Sequence, residues 1–233
     1  MYVVNHAKHV ESVEIFLYTP TKPDSIQHLK TIHNDKFVCL NDLTIYGDDV
    51  FYITNFMKYC HSWLALSASE FLLGLETGNI LYYDSGKARV VATGVSYNGI
   101  TQSKDSKEVA VNAGGTTYLE IFDRVPSTGE LKFKEKVNVQ YFPDNVLTDQ
   151  HTGDYYVGVQ KKVLKLFAVS LNQSRSGPST GVRVYKRDGK YAVEEVFHDN
   201  GRSHVQGVAS VAHYKGQYLL GTIFHNLGYC TTN

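Results

Sequence analysis

The chain has 233 residues, and its 23 Lys and Arg balance 23 Asp and Glu, for a formal net charge of zero. That length can bury one all-β core, and that balance argues against a nucleic acid or an anionic membrane as its main partner. Seventeen Tyr, eleven Phe and nineteen Gly against five Pro make a strand-and-turn composition, without low-complexity tracts or long periodic runs of helix formers.

The chain opens on Tyr2-Val-Val-Asn-His6, which reads as a β-strand. It shows neither a basic n-region nor an apolar h-region, so no signal peptide is visible. Opening inside a strand predicts a fragment of a longer domain. Further segments of the same kind follow: Val50-Phe-Tyr-Ile-Thr-Asn55, Val109-Ala-Val-Asn112, Tyr155-Tyr-Val-Gly158 and Tyr218-Leu-Leu-Gly-Thr222. Each of these four follows a turn, at Gly47-Asp-Asp49, Lys104-Asp-Ser-Lys107, His151-Thr-Gly-Asp154 and Lys215-Gly-Gln217. Each turn in turn follows a short strand, at Asp42–Ile45, Gly99–Thr101, Val146–Thr148 and Gly207–Val211. Outer strands are expected at Leu81–Tyr83, Arg89–Val91, Tyr118–Phe122, Leu131–Phe133, Leu164–Ala168, Val182–Tyr185 and Ala192–Val196. The apolar stretch around Trp63 to Leu75 carries Ser, Glu and Gly and cannot span a membrane.

A strand–turn–strand unit recurring every 50 residues or so is the mark of a propeller blade, a four-stranded antiparallel sheet. A β-sandwich is the structural competitor, and the repeat favours the propeller. The count is about four blades, with Tyr2–His6 as the tail of an earlier one, in a single partial β-propeller domain over residues 1–233.

Three units open their inner strand on an amide or an acid: Asn41-Asp42, Asn98-Gly99 and Asp144-Asn145. Any one Asx alone reads as a turn starter. At one repeat position in a propeller, however, all three converge near the axis, where unpaired polar groups are costly. A hard cation such as Ca²⁺, which takes oxygen ligands, answers that need. His6 is a candidate general base beside such a metal, set against the ordinary surface or core histidine. Cys39, Cys60 and Cys230 fit no zinc spacing. The first two read as buried or free thiols, and Cys230 as a terminal staple to a segment outside this chain. Asn172-Gln-Ser174 is a glycosylation sequon.

Several of these segments, in order, resemble the serum paraoxonase/arylesterase family. They are Tyr2-Val-Val-Asn-His6, His28-Leu-Lys-Thr-Ile32, Leu40-Asn-Asp-Leu43, Tyr97-Asn-Gly-Ile100, Asp144-Asn145, and Gly221-Thr-Ile-Phe-His225 through Tyr229-Cys230. The resemblance implies a six-bladed β-propeller with two calcium ions in its tunnel and a hydrolase of lactones, aryl esters and some phosphotriesters. It implies catalytic calcium held by Asn41, Asn98, Asp144 and Asn145, structural calcium held by Asp42, and His6 as one of a histidine pair that activates water. It pairs Cys230 with an N-terminal cysteine. It also implies secretion or extracellular membrane or lipid-particle association, through an N-terminal leader that lies, with the family's leading third, outside this sequence. The family's hydrolases read Thr-Asn-Asp-His where this chain has Thr54-Asn-Phe-Met57, so apolar Phe56 replaces an acid.

Three functions follow. The first is calcium-dependent hydrolysis, with the metal polarising a carbonyl that water attacks. The second is a non-catalytic, calcium-stabilised propeller acting as a membrane-associated assembly factor or chaperone for ion channels, which Phe56 favours. The third is a sugar-lactone hydrolase, against which Cys230 and the Val-Val-Asn-His motif speak. Substrate choice is expected from the loops at Asn55–Ser69 and Phe197–Val205.

Overall fold

The structure, a computed structural model, describes residues 1–7, 10–22, 24–60, 64–161, 178–200, 205–223 and 226–231. The chain divides into two compact units, Met1–Tyr97 and Asn98–Asn233.

The first unit holds two antiparallel sheets. One is three-stranded, ordered β1 (Tyr2–Ala7), β2 (Val10–Tyr18), β3 (Ile26–Ile32). The other is four-stranded, ordered β4 (Leu40–Gly47), β5 (Val50–Asn55), β6 (Gly78–Asp84), β7 (Lys87–Gly94). A helix, α1 (Leu64–Leu72), lies between β5 and β6 in sequence. Val13, Ile15 and Ile32 of the first sheet pack with Leu40, Phe51, Ile53, Leu81 and Tyr83 of the second, forming one core.

The second unit holds three sheets. β8 (Tyr97–Gln102), β9 (Glu108–Ala113), β10 (Tyr118–Val125) and β11 (Glu130–Asn138) form the first. β12 (Phe142–Thr148), β13 (Tyr155–Gln160), β14 (Ser179–Arg187) and β15 (Lys190–Asp199) form the second. β16 (Val208–Tyr214), β17 (Gln217–Thr222) and β18 (Gly228–Thr231) form the third. Ala110, Leu119 and Ile121 meet Val146, Val157 and Val182 in the core between the first two, and Tyr156 meets Val208, Val211 and Leu220 in the next.

The repeat has a physical basis. The second strand of each four-stranded sheet is covered on both faces, so β9 and β13 are buried along their whole length and β5 along all but its first residue. Double burial demands the near-continuous β-branched and aromatic runs that made these segments visible. Outer β11 is mostly exposed and alternates weakly. All four expected turns form, with left-handed backbone at Asp49 (φ 58°), Ser106 (φ 58°), Gly153 (φ 87°), and Lys215 and Gly216 (φ 49° and 76°).

The described residues therefore form five sheets, which corrects the expected count of about four blades within a six-bladed whole. Tyr2–His6 is no tail. It pairs with Glu11–Ile15 residue for residue, and β2 pairs onward with β3. β3 escaped notice because six of its seven residues are exposed, which leaves little hydrophobic pattern. The strand expected at Leu164–Ala168 lies outside the described residues.

Candidate functional site

In the first unit, β1 and β2 place His6 directly across from Glu11. The His6 Nδ1 lies 3.0 Å from Glu11 Oε1 and 2.9 Å from Oε2. The imidazole is 56% exposed, whereas the Glu11 side chain is 2% exposed. Oε2 of Glu11 also accepts the backbone N–H of Leu40 at 3.1 Å. Glu11 thus ties the end of β1 to the first residue of β4, immediately before Asn41. Beside it opens a hollow of about 520 Å³ lined by Val10, Glu11, His33, Asn34, Asp35 and Phe37.

Asn41 and Asp42 occupy an irregularity in that strand. Leu40 pairs with Asn55 and Leu43 with Ile53, so two residues of β4 face Thr54 alone. A bulge of this kind re-aims side chains, and both residues keep partial solvent contact. Thr54 Oγ1 accepts the Asp42 N–H at 3.1 Å and fixes the bulge. The approach to β4 is organised by buried Asn55, whose Oδ1 accepts the N–H groups of Val38 and Cys39 and whose Nδ2 donates to Lys36 O.

The segment after β5 is anchored in the same unit. Cys39 and Cys60 form a disulfide with a Cα–Cα separation of 6.1 Å, correcting the reading of both as free or buried thiols. Hairpin folding brings them together, for Phe56 N donates to Cys39 O at 2.7 Å. Cys230 is a free thiol of intermediate exposure. Buried Glu70 on α1 accepts the N–H groups of Lys58 and Tyr59 at 3.0 and 2.8 Å. Phe56 lies against Phe71 with ring centroids 6.1 Å apart, and Met57 is 9% exposed, so these residues serve apolar packing. The disulfide closes a sequence separation of 21 residues, a loop whose constraint is worth about 3 kcal/mol. Reduction, or Cys60→Ser, should lower the unfolding free energy by roughly that amount in a urea titration.

In the second unit, Asn98, Asp144 and Asn145 come together. Asn98 Nδ2 donates to Asp144 Oδ1 at 3.0 Å, and Asn145 Nδ2 approaches the same oxygen at 3.4 Å. Asp144 and Asn145 sit in a bulge that repeats the one in β4. Pro143 pairs with Val159 and Val146 with Val157, leaving both residues opposite Gly158. Asp144 keeps some solvent contact, yet its carboxylate is recessed. Burial pushes its pKa up to about 6, against the lowering effect of the Asn98 hydrogen bond. Among the described residues no Lys, Arg or His pairs with it. Asn112, fully buried at the end of β9, donates from Nδ2 to Asp144 O at 2.8 Å. Its Oδ1 is buried without a hydrogen-bond partner among the described residues. A recessed carboxylate, two amides and an unanswered amide oxygen are a donor set that fits a hard cation.

Gly99 permits this convergence. A Cβ on it would lie 2.5 Å from Asn145 Cα and 2.6 Å from Val146 N. Only a residue without a side chain lets β8 come this close to β12. The motif strings contained Gly99 and Asn112 without disclosing either role. Among the described residues no three of His, Cys, Asp or Glu cluster as a metal centre, in keeping with a candidate set made largely of amides. The sequon at Asn172, His225 and part of the Phe197–Val205 loop lie outside the described residues.

A family model described as Arylesterase matches residues 1–232. Human serum paraoxonase/arylesterase 1 is 31% identical over 237 residues, covering 98% of this chain and 63% of that protein. Human serum paraoxonase/lactonase 3 is 32% identical over 234 residues, covering 99% of this chain and 64% of that protein. The chain thus spans about 63% of the length of such relatives. Among solved structures, a gluconolactonase from Xanthomonas campestris superposes with a TM-score of 0.57 at 12% identity, over 99% of this chain and 69% of that one. A luciferin-regenerating enzyme does so with a TM-score of 0.57 at 15% identity, over 94% and 68%. These similarities and the repeated sheets make the fold an all-β propeller, and the chain belongs to the Arylesterase family.

Proposed function

We propose that this chain carries the calcium site and general base of a hydrolase of aryl esters and lactones. The observation that carries the reading is the cluster of Asn98, Asp144 and Asn145 around one recessed carboxylate, with which no Lys, Arg or His among the described residues pairs. These three would hold the ion, with Asn112 Oδ1 as a further oxygen donor beside them. Asn41 and Asp42, on the bulge of β4, are the remaining donors that the family resemblance assigns to calcium. When bound, calcium would supply a Lewis acid that polarises the scissile carbonyl and stabilises negative charge developing on its oxygen. His6 would accept the proton of the attacking water at Nε2, the ring nitrogen not held by Glu11. The family membership and the names arylesterase and lactonase borne by the relatives support this substrate class. Secretion belongs to the same proposal, since the relatives are named serum proteins.

A second reading, a calcium-stabilised propeller without turnover, rests on Phe56 and Met57. Phe and Met supply neither an acid nor an imidazole at those positions, and both are packed as apolar residues. Phenyl acetate and δ-valerolactone hydrolysis by the purified chain, with calcium and with excess EGTA, separates the two. Calcium-dependent turnover that disappears in Asn98→Ala supports the hydrolase. A chain that gains thermal stability from calcium and turns over neither substrate refutes it.

A further inference from the structure

We propose that Glu11 is the positioning residue of the general base's imidazole, fixing the tautomer and orientation of His6 and holding it in register with β4; this rests on the reading of His6 as the base. Both Glu11 oxygens lie within 3.0 Å of His6 Nδ1, a geometry in which the carboxylate accepts and Nδ1 carries the proton. Nε2 then bears a lone pair, the form a base requires. A side chain as exposed as His6 would otherwise exchange freely between tautomers and rotamers.

The anchoring differs from a surface ion pair in three respects. Glu11 is buried, so its position is set by packing and not by solvent. It stands opposite His6 in a regular antiparallel ladder, so the backbone already fixes the separation. Its second contact, from Leu40 N, ties it to the strand that bears Asn41 and Asp42, so a shift of β4 is felt at the imidazole. In the reaction, the water O–H bond breaks as its oxygen bonds to the carbonyl carbon, whose π electron pair moves onto the carbonyl oxygen, and the proton passes to Nε2. The Nδ1–H stays on the ring. The resulting imidazolium faces the Glu11 carboxylate, which stabilises its charge without taking the proton.

Long-range ¹H–¹⁵N spectra of the histidine rings in the intact chain test the first part, with His6 assigned from the spectrum that His6→Asn lacks. At a pH where the ring is neutral, His6 should show a protonated Nδ1 and a bare Nε2, and Glu11→Ala should lose that fixed tautomer. A wild-type ring protonated at Nε2 overturns the proposal whether or not the chain turns over substrate. Kinetics test the second part. Glu11→Gln keeps the volume and an acceptor for Leu40 N but removes the charge. It should lower kcat by about 30-fold with KM nearly unchanged, less than the roughly 10²–10⁴-fold that a general base contributes because His6 itself remains, and Glu11→Asp should recover part of that loss. Circular dichroism melts confirm that each variant is folded. If His6→Asn abolishes turnover while folded Glu11→Gln keeps the wild-type kcat, the positioning role is wrong and the base assignment survives. If folded His6→Asn keeps full turnover, the base assignment itself fails, and with it the positioning role.

Discussion

Asp144→Asn should do two opposite things, abolishing the response to calcium while making the metal-free protein more stable at neutral pH. The second follows from the recessed carboxylate. Burial raises the Asp144 pKa from 3.8 to about 6. With the folded value above the unfolded one, the stabilising form is the protonated one. Its contribution is complete below the unfolded value of 3.8 and is lost as the pH rises through about 6. Holding this side chain ionised at pH 7.5 therefore costs the metal-free protein about 2 kcal/mol, after allowance for its solvent contact. Asn is nearly isosteric, can still face Asn98, and does not ionise. In EGTA the wild-type unfolding free energy should fall between pH 4 and 7 relative to the variant, with the two curves meeting at the acid end. Adding calcium should reverse the order, because an ion bound to the folded state stabilises it in proportion to the logarithm of its concentration over Kd. The variant lacks the one charged ligand of its cluster and should lose affinity by more than about 100-fold, and calcium-dependent hydrolysis with it. Unfolding curves at several pH values, with calcium and with EGTA, read both effects. A variant no more stable than wild type in EGTA at pH 7.5 would show that the carboxylate is not buried at a cost. A variant that keeps its calcium response would remove Asp144 from the metal site.

The sequence displayed what is repeated and doubly buried, and concealed what depends on pairing. β5, β9 and β13 can be found because both faces are covered, and the turns before β5 and β13 because Asp49 and Gly153 suit left-handed backbone. Helix α1 lacks acidic residues in its first turn and basic ones in its last, so the charge pattern that marks helix ends was missing. The Cys39–Cys60 bridge joins residues brought near only by folding of the β4–β5 hairpin, which no spacing rule encodes. Glu11 was invisible as a partner of His6 for the same reason, since the two face each other only in the ladder of β1 and β2. The site residues Asn41, Asp42, Asn98, Asp144 and Asn145 stand out in the sequence by repeat position. The bulges that set two of the pairs apart from ordinary strand residues arise from register shifts that appear only once the strands are paired. The structure brings the last three together within the second unit, while Asn41 and Asp42 sit in the first.

Gly99→Ala should be among the most damaging single-methyl additions in the chain. Two backbone atoms of β12, Asn145 Cα and Val146 N, lie 2.5 and 2.6 Å from where the new Cβ would stand. Backbone cannot swing aside as a flexible side chain can, so β8 and β12 must separate. Overpacking of this kind costs about 1–3 kcal/mol, and the upper end is expected because both partners are main chain. The same displacement pulls Asn98 Nδ2 from Asp144 Oδ1, now 3.0 Å away, and opens the oxygen cluster. The expected result is a lower urea midpoint in EGTA together with a weakened calcium response, although no ligand has been altered. Gly47→Ala is the matched control. Its Cβ would meet only Val50 side-chain atoms, at 3.7 and 3.9 Å, which is ordinary contact, and it should change stability little. The sequence Asn98-Gly99 thus acts as one device, the amide supplying a ligand and the glycine supplying the approach that lets it reach the acid. A Gly99→Ala protein with wild-type stability and calcium response would show that the two strands do not pack this closely, and would remove the geometric basis for grouping Asn98 with Asp144 and Asn145.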